Sequence, residues 1–165
     1  MIVLGIDPGS YHCGYGCVKY ASGGISYVAS GRISLSRNHP LPERLKNLSI
    51  ALDDVLDQLS PDVSAVEKVF FAKSVKAALS LGHARGVVLA SIASKGVPIY
   101  EYSALEVKKS VVGYGRADKA QVQDMVSMLL SLRKPLKEDE ADALAVAICQ
   151  AHTRTGPQAA YLKGL

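Results

Sequence analysis

The first seven residues, Met-Ile-Val-Leu-Gly-Ile-Asp, form an almost continuous apolar run that ends at the carboxylate of Asp7. A short apolar run bounded by a Pro-Gly turn is typical of a strand that lies in the middle of a sheet. In α/β proteins, polar groups that perform chemistry tend to lie at the carboxyl ends of such strands. The chain therefore begins with a predicted central strand that delivers an acidic residue to one edge of the sheet.

The segments that follow define the rest of the predicted fold. Two alternating segments, 14–20 and 25–35, flank Ala-Ser-Gly-Gly and predict an antiparallel hairpin. Apolar residues at helical or strand spacing then predict helices at 42–60, 73–96, 119–132 and 139–152, strands at 62–70 and 97–102, and a short helix opened by a capping box at Ser103 and Glu106. This order predicts an α/β fold with a five-stranded mixed sheet, in which three antiparallel strands precede parallel strands and helices flank the sheet. The Gly-Ile-Asp-Pro-Gly-Ser turn lacks the three-glycine spacing of a dinucleotide-binding fold.

Length and composition favour one globular domain. The 165 residues are 48% hydrophobic and 21% charged, which is typical of a folded chain with a substantial core. We expect no membrane span, because no apolar run approaches the roughly 18 residues required, and no signal peptide, because Asp7 interrupts the N-terminal run. A cytoplasmic location follows as an expectation. Cys13, Cys17 and Cys149 match no disulfide framework or zinc spacing, so we expect buried, reduced thiols.

The positive charge of the chain is concentrated in its middle. The net charge is +4, but the segment from Lys68 to Lys119 holds nine Lys or Arg residues against three Asp or Glu residues. A basic region between acidic clusters is compatible with a polyanionic partner. Ordinary solvated surface explains the same charges, and charge alone favours that simpler explanation.

Four acidic residues stand where the predicted elements could bring them together. Asp7 and Glu67 lie near the ends of two strands, and parallel neighbours would be about 4.8 Å apart. Asp139 and Asp142 are three residues apart at the start of the last helix, so they share one face of it. Each acid also has a simple structural explanation, as a turn residue, a surface ion pair or a complement to the helix dipole. Their joint placement favours a shared site.

A cluster of three or four carboxylates is tolerable only if cations neutralise it. Carboxylate oxygens suit Mg²⁺, and Mn²⁺ in its place. Two such ions about 4 Å apart activate a water and stabilise the leaving oxygen in the hydrolysis of a phosphodiester bond. The pattern therefore predicts a nuclease that uses two metal ions.

Five motifs resemble, in order, those of the RuvC family of Holliday junction resolvases: GIDPG, VEKVFFAKS, ALSLGHARG, VKKSVVGYGRADKAQV and EADALAVAICQAH. The resemblance extends from the first strand to about residue 152. It implies a ribonuclease-H-like fold and a homodimer that uses magnesium to cut two opposed strands of a four-way DNA junction. The implied products carry 3′-hydroxyl and 5′-phosphate ends.

The resemblance also implies roles for particular residues. The family's catalytic and metal-binding acids match Asp7, Glu67, Asp139 and Asp142, although Glu138 and Glu140 share the turn of Asp139 and leave the fourth ligand open. The aromatic residue that stacks on unpaired bases matches Phe70, with Phe71 as the alternative. The implied DNA-binding residues are Phe70, Lys73, Lys76, Lys108, Arg116 and Lys119, of which Lys108 and Lys119 match lysines near the scissile phosphate.

The implied assembly involves the helix over residues 73–96. Its apolar face around Ala77, Leu79, Leu81 and Val87 would supply the dimer contact, and the RuvA–RuvB branch-migration complex would be a partner. The nuclease domain would span residues 1–153, and residues 154–165 would form a flexible tail. Two rival functions are less favoured. ATPases and phosphotransferases that begin with the same GIDxG turn need a duplicated domain, which this chain is too short to hold, and the intact set of acids argues against a DNA-binding module without catalysis. Preferential cutting of an RNA–DNA hybrid would instead indicate a ribonuclease H.

Overall fold

The computed structural model describes residues 1–21, 24–68 and 74–153. The elements, in chain order, are β1 (Ile2–Asp7), β2 (His12–Ala21), β3 (Gly24–Ser34), α1 (Leu41–Leu59), β4 (Val63–Glu67), α2 (Val75–Ser94), β5 (Ile99–Tyr102), α3 (Ala104–Val112), α4 (Lys119–Leu129) and α5 (Glu138–His152). The strands form one sheet in the order β3-β2-β1-β4-β5. The predicted central position of the first strand is therefore confirmed.

The sheet is mixed, as the order of elements predicts. β1 runs antiparallel to β2, β2 runs antiparallel to β3, and β1, β4 and β5 run parallel to one another. The β1–β4 register pairs Ile6 with Val66, so its continuation by one residue brings Asp7 beside Glu67. The two acidic residues therefore lie at the same edge of the sheet.

Helices cover both faces of the sheet. α1 and α2 cover one face, where Leu48, Leu52 and Leu56 of α1 are buried at helical spacing against the strands. α3, α4 and α5 cover the other face. Nearly all of α5 from Ala141 to Ala151 is buried, so this helix forms the centre of the second core.

Three glycines allow α5 to lie directly on the strands. A Cβ atom built at Gly5 would stand 2.0 Å from the carbonyl oxygen of Ala143, and one at Gly14 would stand 2.0 Å from that of Asp139. A Cβ at Gly16 would meet Leu144 at 2.6 Å. The absence of these side chains sets the height of α5 above the sheet, and so the height of the acids at its N-terminus.

Both α3 and α4 have capped ends. At the start of α3, Ser103 and Glu106 form the predicted capping box. Gly113 ends the helix in the left-handed conformation, with φ of 90°, and Asp118 and Gln121 form a second capping box that opens α4. Capping at both ends gives this connection a defined path.

Cys13, Cys17 and Cys149 are free and buried, as predicted. Among the described residues one helix, α2, is long and apolar enough to cross a membrane by length and composition alone. The cause is its high content of Ala, Gly, Leu and Val, with few charges. A single helix of this kind is weak support for a membrane span, since apolar helices that pack against protein pass the same test. Only 22% of the apolar window is buried within the chain.

Candidate active site

Three of the four predicted acids line one pocket. Asp7 comes from the end of β1, Glu67 from the end of β4 and Asp142 from the first turns of α5, and they share a pocket of about 320 Å³. Lys108, Lys119 and the apolar side chains Ala104, Val107, Val122 and Ala145 complete its lining. Residues that are 135 positions apart in the chain therefore meet because α5 crosses the carboxyl ends of β1 and β4.

The electrostatics of the pocket disfavour three free negative charges. Burial, followed by the charges of Asp142 and Glu67, raises the pKa of Asp7 to about 7. The pKa of Glu67 is also raised, first by burial and then by Asp142, although Lys119 and Lys108 oppose the shift. These acids repel one another, and among the residues that the structure describes Lys119 and Lys108 offset the shifts only in part.

The pocket fits a hard divalent cation by the chemistry of its donors. All three acids offer carboxylate oxygens, which Mg²⁺ and Mn²⁺ prefer. With the side chains as they stand, no group of three His, Cys, Asp or Glu residues within the described ranges forms a ready-made metal site. The match therefore rests on the donor set and on the raised pKa of Asp7, which a bound cation would lower.

Asp139, the fourth predicted acid, lies outside the pocket lining. Its carboxylate accepts a long hydrogen bond of 3.5 Å from the guanidinium of Arg32, on the side of α5 that faces β3. It remains near enough to Asp7 to contribute to the rise in the pKa of Asp7. The structure thus brings Asp7, Glu67 and Asp142 together and leaves Asp139 at the margin of the site.

The two lysines predicted near the scissile phosphate both line the pocket. Lys119 forms ion pairs with Glu138 and, at 3.5 Å, with Asp142. The hydrogen bond from Lys119 is the main reason that the pKa of Glu138 is lowered. Lys108 of α3 also lines the pocket, and after Lys119 it opposes the rise in the pKa of Glu67. A negatively charged group that enters this pocket would meet both ammonium groups.

The other predicted DNA-binding residues are dispersed. Lys76 lines a separate groove between the start of α2 and the turn after β1, which is lined by Gly9, Ser10, Tyr11, Leu41, Arg44 and residues 74–83. Arg116 is exposed on the α3–α4 connection. Phe70, its neighbour Phe71 and Lys73 lie outside the described residues. The predicted tail, residues 154–165, also lies outside them.

Two residues at the site were missed from the sequence. Arg32 contacts Asp139 from β3, and Glu138 holds the ammonium group of Lys119. Arg32 carries no local signal, because its proximity depends on the pairing of β2 with β3 and on the position of α5. Glu138 adjoins Asp139 and was noted only as an alternative to it.

Comparison with known proteins places the chain in a family. The family model described as crossover junction endodeoxyribonuclease RuvC matches residues 3–150. The RuvC of Geobacter sp. (strain M21) is 46% identical over 165 residues, which is 100% of this chain and 99% of that protein. The RuvC of Alkaliphilus oremlandii is 49% identical over 154 residues, which is 93% of this chain and 94% of that protein.

The fold agrees with the sequence match. A structure of Thermus thermophilus RuvC in complex with Holliday junction substrate superposes with a TM-score of 0.86 at 34% identity. The match covers 92% of this chain and 93% of that one. The ribonuclease-H-like architecture and the family resemblance are both confirmed, and the chain belongs to the RuvC family of crossover junction endodeoxyribonucleases.

Proposed function

We propose that the pocket containing Asp7, Glu67 and Asp142 is the active site with which this chain cuts four-way DNA junctions. The observation that carries the proposal is the convergence of three carboxylates and two lysines in one pocket of a RuvC-family fold. The Thermus thermophilus relative was solved with a Holliday junction substrate, which supports the same substrate class here. Paired symmetric nicks at the junction, with 3′-hydroxyl and 5′-phosphate products, complete the proposal.

We assign Mg²⁺ as the cofactor, with Mn²⁺ as a substitute and two ions per subunit. Asp7, Glu67 and Asp142 would hold the ions, and Asp139 would join them as a ligand at the margin. Bound ions of this kind supply an activated water and stabilise charge on the leaving oxygen. The raised pKa of Asp7 supports the assignment, because such a cluster ionises fully only with cations nearby.

The lysines have a separate role in binding the substrate. Lys108 and Lys119 stand on the α3 and α4 walls of the pocket, where their ammonium groups would contact phosphate oxygens of the strand to be cut. In the free protein Lys119 is held by Glu138 and Asp142. Substrate binding would exchange these carboxylates for a phosphate.

We propose that DNA also contacts residues away from this pocket. Phe70 would stack on an unpaired base, while Lys73, Lys76 and Arg116 would contact the backbone. Lys76 and Arg116 are both exposed, which is the condition such contacts require. Residues 1–153 would form the single nuclease domain that carries this surface.

We propose that the chain acts as a homodimer through α2. Val75 and Leu79 are 79% and 60% exposed, which is unusual for apolar residues of a 20-residue helix. A Cβ built at Gly82 or Gly86 would meet nothing within 4 Å, so another helix could approach this face closely. Two active sites in one dimer would account for two opposed cuts. We also propose a partnership with RuvA–RuvB and a cytoplasmic location, which membership of the family supports.

The decisive experiment is a nicking assay on the Asp7→Asn variant. We expect it to lose magnesium-dependent cutting of a labelled four-way junction while it still binds the junction. Asp54→Asn, the same chemical change at an exposed position of α1, is the matched control and should cut normally. Cutting by Asp7→Asn at the rate of the unaltered protein would refute the site.

The substrate preference is tested by a cleavage assay that compares three nucleic acids with the unaltered protein. We expect the four-way junction to be cut in preference to a linear duplex and to an RNA–DNA hybrid. Preference for the hybrid would instead indicate a ribonuclease H activity. Failure to nick any branched substrate with either metal would indicate a DNA-binding module without catalysis.

A further inference from the structure

The connection between α3 and α4 carries an exposed aromatic side chain. Gly113 ends α3 with a hydrogen bond from its amide to the carbonyl of Lys109, and Asp118 caps α4. Between them, Ala117 is buried, and a Cβ at Gly115 would stand 2.1 Å from a methyl carbon of Leu105. The chain therefore contacts the Leu105 side chain of α3 at Gly115.

Tyr114, next to that contact, is 47% exposed. Its hydroxyl makes no hydrogen bond to any described residue, and neither cation–π contact in the described parts of the chain involves its ring. Tyr27 is exposed to a similar extent, but its hydroxyl is paired with that of Ser30. Tyr27 also pairs with Val18, whose partner in β1 is Val3, at the end of the sheet opposite Asp7. Tyr114 therefore differs from Tyr27 in two ways: its hydroxyl has no hydrogen-bond partner among the described residues, and it lies in a different part of the fold.

That neighbourhood is cationic and adjoins the active site. Lys109 lies against Gly115, Arg116 is exposed two residues after Tyr114, and Lys119 lines the active-site pocket. The one acid within the connection, Asp118, is engaged by the amide of Gln121. Five residues span at most about 18 Å, so Tyr114 lies within that distance of Lys119. A DNA strand advances about 3.4 Å per base pair, so this distance corresponds to at most about five steps along a strand bound in the pocket.

We propose that Tyr114 is a second stacking residue for junction DNA, which packs its ring on a base exposed at the branch while Lys109 and Arg116 contact the flanking phosphates. The inference rests on the proposed function, because it requires that junction DNA occupies the pocket. An exposed aromatic ring between cations is the arrangement by which proteins bind bases that have left the stack. Caps at both ends of the connection reduce the ordering needed when the base arrives.

The absence of tryptophan from the chain makes a direct test possible. The double variant Tyr114→Trp, Asp7→Asn has a single tryptophan, and it should bind the junction without cutting it. We expect its emission to be quenched on titration with a four-way junction, with the same midpoint as the anisotropy of a dye on the DNA. Tyr27→Trp in the same background is the matched control, and its emission should stay unchanged.

Tryptophan emission and DNA anisotropy together distinguish a failure of the stacking role from a failure of the proposed function. Junction binding detected by anisotropy, with the emission at position 114 unchanged, overturns the stacking role and leaves the proposed function intact. No junction binding in the Asp7→Asn background overturns the proposed function and the stacking role together. Equal quenching at positions 27 and 114 shows a non-specific effect and also overturns the inference.

Replacement of the ring gives an independent measure. We expect Tyr114→Ala to weaken junction binding by about five- to a hundred-fold, the range expected when one stacked base loses its partner. Tyr114→Phe keeps the ring and should bind within about two-fold of the unaltered protein. Equal binding by all three proteins, or a Phe variant as weak as the Ala variant, contradicts a role for the ring.

Discussion

The contact between Gly5 and α5 makes a sharp prediction about how the active site is held together. In the variant Gly5→Ala, the new Cβ would stand 2.0 Å from the carbonyl oxygen of Ala143 and 2.6 Å from the amide nitrogen of Ala147. Both are backbone atoms, so no change of rotamer relieves the overlap. The helix must move away from β1, or the strand must bend.

The size of the movement follows from ordinary contact distances. A carbon atom approaches a carbonyl oxygen to about 3.3 Å, so α5 must retreat by about 1.3 Å near Ala143. Asp142 precedes Ala143 and moves with it, away from Asp7 and Glu67. A misplacement of about 1 Å in a catalytic group costs about a hundred-fold in rate, and overpacking a core costs about 1–3 kcal/mol of stability.

The assay measures the nicking rate of a four-way junction and the thermal unfolding midpoint of the same preparation. We expect a rate loss of about a hundred-fold at temperatures where the variant is fully folded, and a midpoint lower by about 2–12 °C. Gly24→Ala is the matched control, because its Cβ would have only an ordinary contact of 3.7 Å. A Gly5→Ala protein with unaltered rate and midpoint would refute the claim that this contact sets the position of Asp142.

Three further predictions concern titration, assembly and the core. Asp7 has a pKa of about 7 in the folded protein against 3.8 in the unfolded chain, so the folded state binds more protons between these values and the stability of the metal-free protein falls as pH rises from about 4 to 7. With a chelator at pH 8, the Asp7→Asn variant should therefore unfold at a higher temperature than the unaltered protein. Its free energy of unfolding should be larger by up to about 4 kcal/mol, and the difference should disappear near pH 3. Leu79→Asp should sediment as a monomer at concentrations where the unaltered chain is a dimer, whereas Ile50→Asp, at a residue 51% exposed on α1, should leave the dimer unchanged; a dimeric Leu79→Asp protein would contradict the α2 interface. Tyr102→Phe removes the hydroxyl that donates to the buried amide oxygen of Gln150, and should lower the free energy of unfolding in urea by about 1–3 kcal/mol; no change in the urea midpoint would show that the bond contributes nothing.

Local patterns were enough to predict the elements and their order. The alternation around residues 14–35, the leucine spacing of α1 and the capping box at Ser103 are properties of short segments, and each is present in the structure. They depend on backbone preferences and on a single buried face, which neighbouring residues specify.

The sequence by itself determined that acidic residues end two strands and begin a helix, because strand ends and helix starts are local features. Which acids meet was decided only by the tertiary structure. Asp139 and Asp142 share one helix face, yet Asp142 lines the pocket while Asp139 is drawn to Arg32 of β3. The height and rotation of α5 determine which acid enters the pocket, and both depend on the contacts of α5 with Gly5, Gly14 and Gly16. These contacts join residues more than a hundred positions apart, so they cannot be predicted from local sequence patterns.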